Sequence, residues 1–448
     1  MTQLNKASKS RRTLRRALRR FVRKDDGALT ILGLYFSIAL FILSGIAIDV
    51  AYLISSRTQL QVAADIVAHS ALFNREFTDE DTAKQRALAM AESAMPSYLY
   101  GDVIREEDIK FGTYDRTSLT FTEQAGSREA AIVEAFRISD RSNSVASFIL
   151  QIIGKNDWDI VVPAVFETYR PTCFREGFVA DGRVDIQSGS TFVNGFCIHS
   201  NDHVSVNQNN TWENGTIVSM PNTANIDLPA SGFRQNAGLQ EALRYGRYNV
   251  LILNRMQAIL DGQTDETSRY YGLSSGASST PRTVTPPNNR QLDPSHFVQD
   301  RVNVINCGNQ GMTLTTDTYE NMVIIGFGCD FSIGNHAEFF DVTLITTSTD
   351  DRSIDGSNLT IGRDDNCADG GGTRFVTWGG FHTGANLEVF GSQIIAAGPI
   401  SFTANGDGIE GASFISGDTI DATSNNAMGF CGGNNPDIFE ADFFRMAG

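Results

Sequence analysis

Asp364 and Asp365 stand together in a turn after Ile361, with Arg363 and Arg374 close by in sequence. Two acidic groups across a scissile bond are what glycoside cleavage uses, so this is the strongest place to look for catalysis. The Gly-His-Gly and Arg-x-Lys strings of polysaccharide hydrolases do not occur anywhere in the chain, and turn aspartates ordinarily fold back on their own backbone. His199 and His203 lie four apart near Cys197. That spacing converges on a metal along a helix but not along a strand and turn, and no His-Glu-x-x-His string is present. Calcium at Asp364, Asp365 or Asp407 would suit an acidic exported body, but a full oxygen-ligand loop is missing. The sequence has no phosphate-cradling glycine loop and no nucleophile elbow. The expectation is therefore a non-enzymatic protein with no catalytic residue, cofactor or metal site.

The remaining reactive side chains are six cysteines, Cys173, Cys197, Cys307, Cys329, Cys367 and Cys431. An even number in an oxidising compartment points to three disulfides, with 15 connectivities open on count alone.

An exported body needs a device that exports it. Between Gly27 and Ile48 the chain carries 22 residues without a charge, enough at about 1.5 Å per residue to cross a bilayer core of about 30 Å. Ten basic residues, Lys6, Lys9, Arg11, Arg12, Arg15, Arg16, Arg19, Arg20, Arg23 and Lys24, precede it. Basic flanks stay on the cytoplasmic side and attract anionic lipid. A cleaved signal peptide shares this layout, but its apolar stretch is only about 7–15 residues. The reading is a single-pass bacterial inner-membrane protein with a cytoplasmic N-terminus and a periplasmic body. The whole chain of 448 residues has net charge −16, and its first 27 residues hold 10 basic and 2 acidic ones, leaving 26 basic against 50 acidic beyond. A body so acidic repels polyphosphate, which excludes nucleic acid as a partner.

Helical patterning continues past the span through Leu53, Leu60, Ala63, Ala64 and Val67, and a second helix is expected between a cap at Thr78–Asp81 and Pro96. Short alternating strands follow, Ile109–Thr113, Leu119–Phe121, Glu134–Ser139 and Asp159–Thr168, with an apolar helix expected around Val145–Ile153. The run Asp26-Gly27-Ala28, then Gly45-Ile46-Ala47-Ile48-Asp49, then Arg57-Thr58-Gln59-Leu60-Gln61-Val62-Ala63-Ala64-Asp65, with Ala68 and Ala71, resembles the N-terminal segment of TadG-like proteins. These belong to the Tad (tight adherence) machinery that assembles Flp-type pili. Phe111-Gly112-Thr113-Tyr114-Asp115, Phe136-Arg137-Ile138 and Asn143-Ser144-Val145 resemble that family and the TadE-type pseudopilins. The signature positions carried over are Gly27, Asp49, Arg57, Leu60, Ala64 and Asp65, and the resemblance implies an α+β pseudopilin-like head that works with other pilus-assembly proteins. There are two departures. Prepilin peptidase substrates carry a glutamate five residues after the glycine, where this chain has Leu32. The von Willebrand A domain of many TadG-like proteins needs Asp-x-Ser-x-Ser, whereas Asp185-Ile186-Gln187-Ser188-Gly189-Ser190 has Gln187 at the first serine. In the span, Gly33 and Ser37 share a face suited to close helix packing, and Asp49 at its outer edge is expected to meet a partner helix or lipid headgroups.

Beyond the head the sequence repeats. Val184–Ser200 laid over Val204–Met220 matches Val184 with Val204, Ile186 with Val206, Thr191 with Thr211, Phe192 with Trp212, Asn194 with Asn214 and Gly195 with Gly215, a period of 20 with no gap. The pattern returns in Phe331-Ser332-Ile333, Leu359-Thr360-Ile361, Leu387-Glu388-Val389 and Ile400-Ser401-Phe402. Short strands and polar turns at such periods indicate a right-handed parallel β-helix, with a propeller or sandwich as the alternative. Cys307 and Cys329 are 22 residues apart, about one coil, and coils stack about 4.8 Å apart, within disulfide reach. Cys173 with Cys197 follows in the same way, leaving Cys367 with Cys431.

The expected organisation is a basic tail 1–26, a span 27–48, a helical stalk 49–96, a head 97–172, first coils 173–220, an insertion 221–302 and, over 303–448, the remaining coils and C-terminal end. The insertion is read as an amphipathic helix on Leu239, Leu243, Val250, Leu253, Met256 and Leu260, capped at Asn236, weakened at Gly246 and ending at Gly262. A polar loop, Ser274–Pro294, follows it. The function expected is anchoring and docking of pilus components, envelope or surface polysaccharide, or a host surface. The alternative is a membrane-anchored carbohydrate-binding or polysaccharide-cleaving β-helix, which an outward aromatic ladder at Phe375, Trp378 and Phe381 would favour.

Overall fold

The structure, a computed structural model, describes residues 26–193, 195–273, 277–366, 368, 370–404, 408–424, 427–432 and 438–447. The basic tail, Asn194, Ser274, Cys367 and Asp407 named above lie outside them. The chain divides into two units, residues 1–169 with 444–448, and residues 170–443.

In the first unit, helix α1 (Asp26–Arg75) runs without interruption for 50 residues. Its two halves differ in what they bury. Apolar side chains from Leu29 to Leu43 are exposed all round the helix, and among the described residues this is the one helix long and apolar enough to cross a membrane. Further along, Leu60, Ala63, Ala64, Val67, Ala68, Ala71 and Leu72 are buried, an i, i+3, i+4 stripe that faces a core. Helix α2 (Glu80–Ala94) packs Ala83, Ala87 and Ala91 into the same cluster. Its N-cap is Asp79, whose carboxylate accepts from the Thr82 amide at 2.9 Å. The expected cap at Thr78 is corrected by one residue because the Thr78 hydroxyl donates back to the Asn74 carbonyl at 2.9 Å.

Helix α2 packs on α1, and α1 lies on an antiparallel sheet built from β1 (Ile109–Asp115), β2 (Thr120–Glu123), β3 (Ala130–Arg137) and β4 (Ile160–Tyr169). The strand Phe443–Met446 completes it in the order β2-β1-β3-β4 and then this strand. The C-terminal end of the last expected segment, 303–448, therefore belongs to the head sheet. The expected helix at 145–153 is also corrected. Val145–Ala146 pairs antiparallel with Asp157–Trp158, and only a single 3-10 turn, Leu150–Ile153, follows. A stretch of nine residues is too short to hold a helix against the tertiary partners that take its amides.

The second unit is a stack of parallel strands whose inward residues form one continuous core. Each coil contributes a strand to three columns, as β5 (Gly177–Ala180), β6 (Val184–Ile186) and β7 (Thr191–Phe192) do in the first. The observed partners Val184 with Val204, Ile186 with Val206, Thr191 with Thr211 and Phe192 with Trp212 are those of the 20-residue repeat. The order of the coils in space is not their order in sequence. From β5 the stack runs through Cys197–Ser200 and Ile217–Met220 to Leu243–Tyr245. On the other side of β5 lies Ser413–Ser416, the last coil, in register with Phe178 beside Phe414. The chain thus enters the stack in its interior, builds outward to one end, crosses to the far end at Ser278–Val284, and coils back until its last turn closes against its first.

The crossing runs through the expected insertion, whose helical reading is corrected. Asn236–Ala237 and Leu243–Tyr245 are coil strands paired with Asn210–Trp212 and Ile217–Met220, and Ser278–Val284 within the expected loop is a strand. Of the expected helix, α-helical turns remain at Leu239–Ala242 and at Met256–Gly262, the latter preceded by the 3-10 helix Leu251–Arg255. The glycine before the first of these, Gly238, has φ +81 and a Cβ there would sit on the Trp212 carbonyl, so the chain turns at this point instead of continuing a helix. The second packs Met256, Ile259 and Leu260, with Val250, Ile252 and Tyr270, across the outer side of the first column on Val179, Val323, Ile345, Val376, Ile395 and Ile415.

Candidate functional site

The first column is covered by this crossing segment and by Phe439 and Ala441, so the second and third columns carry the accessible strand surface of the stack. In the second, inward Ile354, Phe381, Ile400, Ile420, Val184 and Val204 are fully buried, and the residues after them point outward. Strand register aligns these as Ser332, Asp355, His382, Ser401, Asp421, Asp185, Ser205 and Asp227. The result is a single polar row with one side chain about every 4.8 Å. His382 Nδ1 is 2.6 Å from Asp355, and Arg183 is 3.3 Å from both Asp185 and Asp421. Burial pushes the Asp185 carboxyl up, Arg183 opposes it, and Asp421 and Asp227 add to the rise. The third column carries a second row, Thr318, Glu338, Thr360 and Glu388. There Thr318 donates to Glu338 at 2.9 Å and Thr360 to Glu388 at 3.2 Å. Regular rows of carboxylates and hydroxyls can hydrogen-bond a repetitive neutral or cationic partner and repel a polyanion.

The residues singled out for catalysis take separate partners, although Arg363 and Asp365 both come up to Gly371. Asp364 is exposed and Asp365 accepts from the Ala368 amide at 3.0 Å, as a turn aspartate does. Arg363 lies over the Phe340 ring and 3.6 Å from Asp341. Arg374 lies over Phe439 and lines a cleft of about 260 Å³ with Asp300, Asn321 and Asp341, which neither Asp364 nor Asp365 lines. His199 is fully buried, its nitrogens 2.7 Å from the Ser219 hydroxyl and 3.0 Å from Asn201, and burial lowers its pKa. His203 pairs instead with Asp202 at 3.0 Å. Among the described residues no group of three or more His, Cys, Asp or Glu side chains could hold a metal. Phe375 and Phe381 point into the core at 0% exposure, and Trp378 packs on the covered side of the first column.

Two of the expected disulfides are formed, Cys173–Cys197 with Cα atoms 4.8 Å apart and Cys307–Cys329 at 5.0 Å. The second lies at a register shift, where Asn306 pairs with Phe327 and Gln310 with Cys329. Cys431 is disulfide-bonded.

In the first unit, Leu60 and Ala64 of the signature lie in the head core. Asp65 accepts from Gln61 at 2.8 Å, and Gln61 also reaches the Pro163 carbonyl at 3.1 Å, tying α1 to β4. Arg57 is exposed. Gly27 and Gly33 have open space around them, and the Ser37 hydroxyl donates to the Gly33 carbonyl at 2.9 Å. Asp49 is 2% exposed, and its partner is neither of those expected. Its carboxylate accepts from the amides of Phe148 at 2.9 Å, Ile149 at 3.0 Å and Leu150 at 2.7 Å. Gly45, one helical turn earlier, makes room for this turn, since a Cβ there would come 2.3 Å from Ile149 Cγ2. Sequence spacing gave no sign of the pairing, because the partners lie about 100 residues apart and offer only backbone.

The chain belongs to the family described as Domain of unknown function (DUF7867), whose model matches residues 177–432. Those limits begin at β5 and end just past the last coil strand, Ala427–Gly429. No curated protein matches the chain. Among solved structures it is similar to one described as "Crystal structure of an ice binding protein from an Antarctic Biological Consortium", with 9% identity and a TM-score of 0.23, covering 58% of this chain and 90% of that one. A likeness at that level says nothing of what this chain binds.

Proposed function

We propose that this protein is a non-enzymatic, single-pass inner-membrane component of the Tad/Flp pilus-assembly type. In this reading α1 anchors a pseudopilin-like head, and a right-handed parallel β-helix docks pilus components or envelope polymer in the periplasm. The observation that carries the reading is the division of α1. One continuous helix has an exposed apolar half of membrane length, and its second half puts signature residues Leu60 and Ala64 into the head core. Disulfides confined to the body support an oxidising compartment. Deleting this chain in its host is expected to abolish sheared surface filaments, with recovery on restoring the full sequence. Unchanged filament yield would contradict the proposal.

The two polar rows favour a second reading, a membrane-anchored protein that binds carbohydrate along its coils. Their acidic character directs that reading to neutral or cationic polymers. Retention on such a polymer, lost when Asp421 and Asp185 are both changed to Lys, would support it. New reducing ends on incubation would make the protein an enzyme and overturn the first reading.

A further inference from the structure

Phe148-Ile149-Leu150-Gln151-Ile152-Ile153 places five large apolar side chains in six positions, yet this segment contributes nothing to the head core. Ile152 is 80% exposed, Ile153 71% and Phe148 51%. A turn that faced water would be expected to be polar. We propose that this turn is a second membrane element, seated in the outer leaflet of the bilayer beside α1. The inference rests on the reading of α1 as a span.

Three contacts set its height. The Asp49 carboxylate holds the amides of Phe148, Ile149 and Leu150, Ile149 lies over Gly45, and Tyr52 meets Phe148 edge-on at 5.0 Å. Gly45 precedes the end of the uncharged run at Ile48 by three residues, roughly 4.5 Å at the helical rise. A turn fixed to that stretch of α1 is level with the boundary between acyl chains and headgroups. Its backbone is suited to the site. Non-helical chain at membrane depth is tolerated only when its polar groups are satisfied. Here Asp49 takes three amides, the Gly154 amide donates to the Gln151 carbonyl at 3.1 Å, and the Gln151 side chain donates to the Phe148 carbonyl at 2.8 Å. Just beyond, the Lys155 ammonium lies 4.7 Å from the Trp158 ring centre, and both are residue types that settle at the interface. The bilayer is thus continuous from α1 onto the turn, and two points of attachment fix the rotation of α1 about its own axis.

The test uses the full chain in nanodiscs of phosphatidylethanolamine and phosphatidylglycerol doped with an acyl-chain diazirine lipid. The disc is photolysed, and adducts are mapped by mass spectrometry. Adducts are expected on Leu29–Ile48 and on Phe148–Ile153. In the variant Ile152→Asp/Ile153→Asp, those on the turn are expected to be lost and those on the span kept, with the amides held by Asp49 still protected from exchange. Adducts on the span and none on the turn would overturn the inference while leaving the anchor intact. Adducts on neither would overturn the span, and the inference with it.

Discussion

Asp49 ends the uncharged half of α1 by turning its carboxylate onto three backbone amides, and Gly45 keeps the space in which that turn sits. Asp49→Asn keeps the shape but weakens charge-assisted bonds, so hydrogen exchange at the amides of 148–150 should rise about tenfold with the rest of the head unchanged. Gly45→Val should produce the same local loosening by steric means, because a real side chain cannot share the position of Ile149. In the second unit Asp442, 2% exposed, accepts from Arg170 at 2.9 Å and Arg269 at 2.7 Å. Burial pulls this carboxyl up, but Arg269 and Arg170 outweigh it and hold it below its ordinary value of 3.8. Its stabilising contribution is therefore complete above that value and is lost as pH falls through the depressed one. Asp442→Asn should cost about 2 kcal/mol at neutral pH, because two partly exposed guanidiniums lose the shared negative charge and one of its two acceptor oxygens. It should also flatten the acid limb of a stability-versus-pH curve measured by denaturant titration.

Among the elements, the seam between first and last coils decides whether the stack closes. Phe178 is fully buried there, with ring centres 5.1 Å from Phe196, 5.6 Å from Phe402 and 5.2 Å from Phe414. The Gly177 amide reaches Ala412 at 2.8 Å and the Asp181 amide reaches Ser416 at 3.0 Å. Phe178→Ala should cost about 3–5 kcal/mol, and limited proteolysis should then cut near Gly417–Thr419 before it cuts the coils beyond. The 20-residue register was legible because Val184, Ile186, Thr191 and Phe192 meet their own repeats one coil away, and adjacent coils of equal length print a period on the sequence. The seam was not legible. Its partners are more than 230 residues apart, and nothing in a period says which two ends meet. Leu239–Leu260 misled for a related reason. Its apolar spacing fits a helix, but strand pairing with the neighbouring coils and the left-handed Gly238 break the segment into shorter pieces.

At the scale of the whole molecule, two units with separate cores should behave as two folding units. A fragment of residues 170–443 should melt cooperatively with its disulfides intact, and calorimetry of the full chain should show that same transition. A single merged transition absent from the fragment would count against the division. The uncharged run, the basic flank and the buried stripe from Leu60 to Leu72 could all be read from sequence, since each is local and periodic. What Arg363, Asp364, Asp365 and Arg374 each meet could not, because they are close in sequence and the coil geometry decides their contacts. The most direct test of the account is to shear host cells, separate filaments from inner membrane, and identify by mass spectrometry where this chain resides and which residue begins it. A chain retaining its basic tail in the inner membrane is the expected result. A chain beginning at Ala28 within sheared filaments would contradict it and make the protein a processed filament subunit.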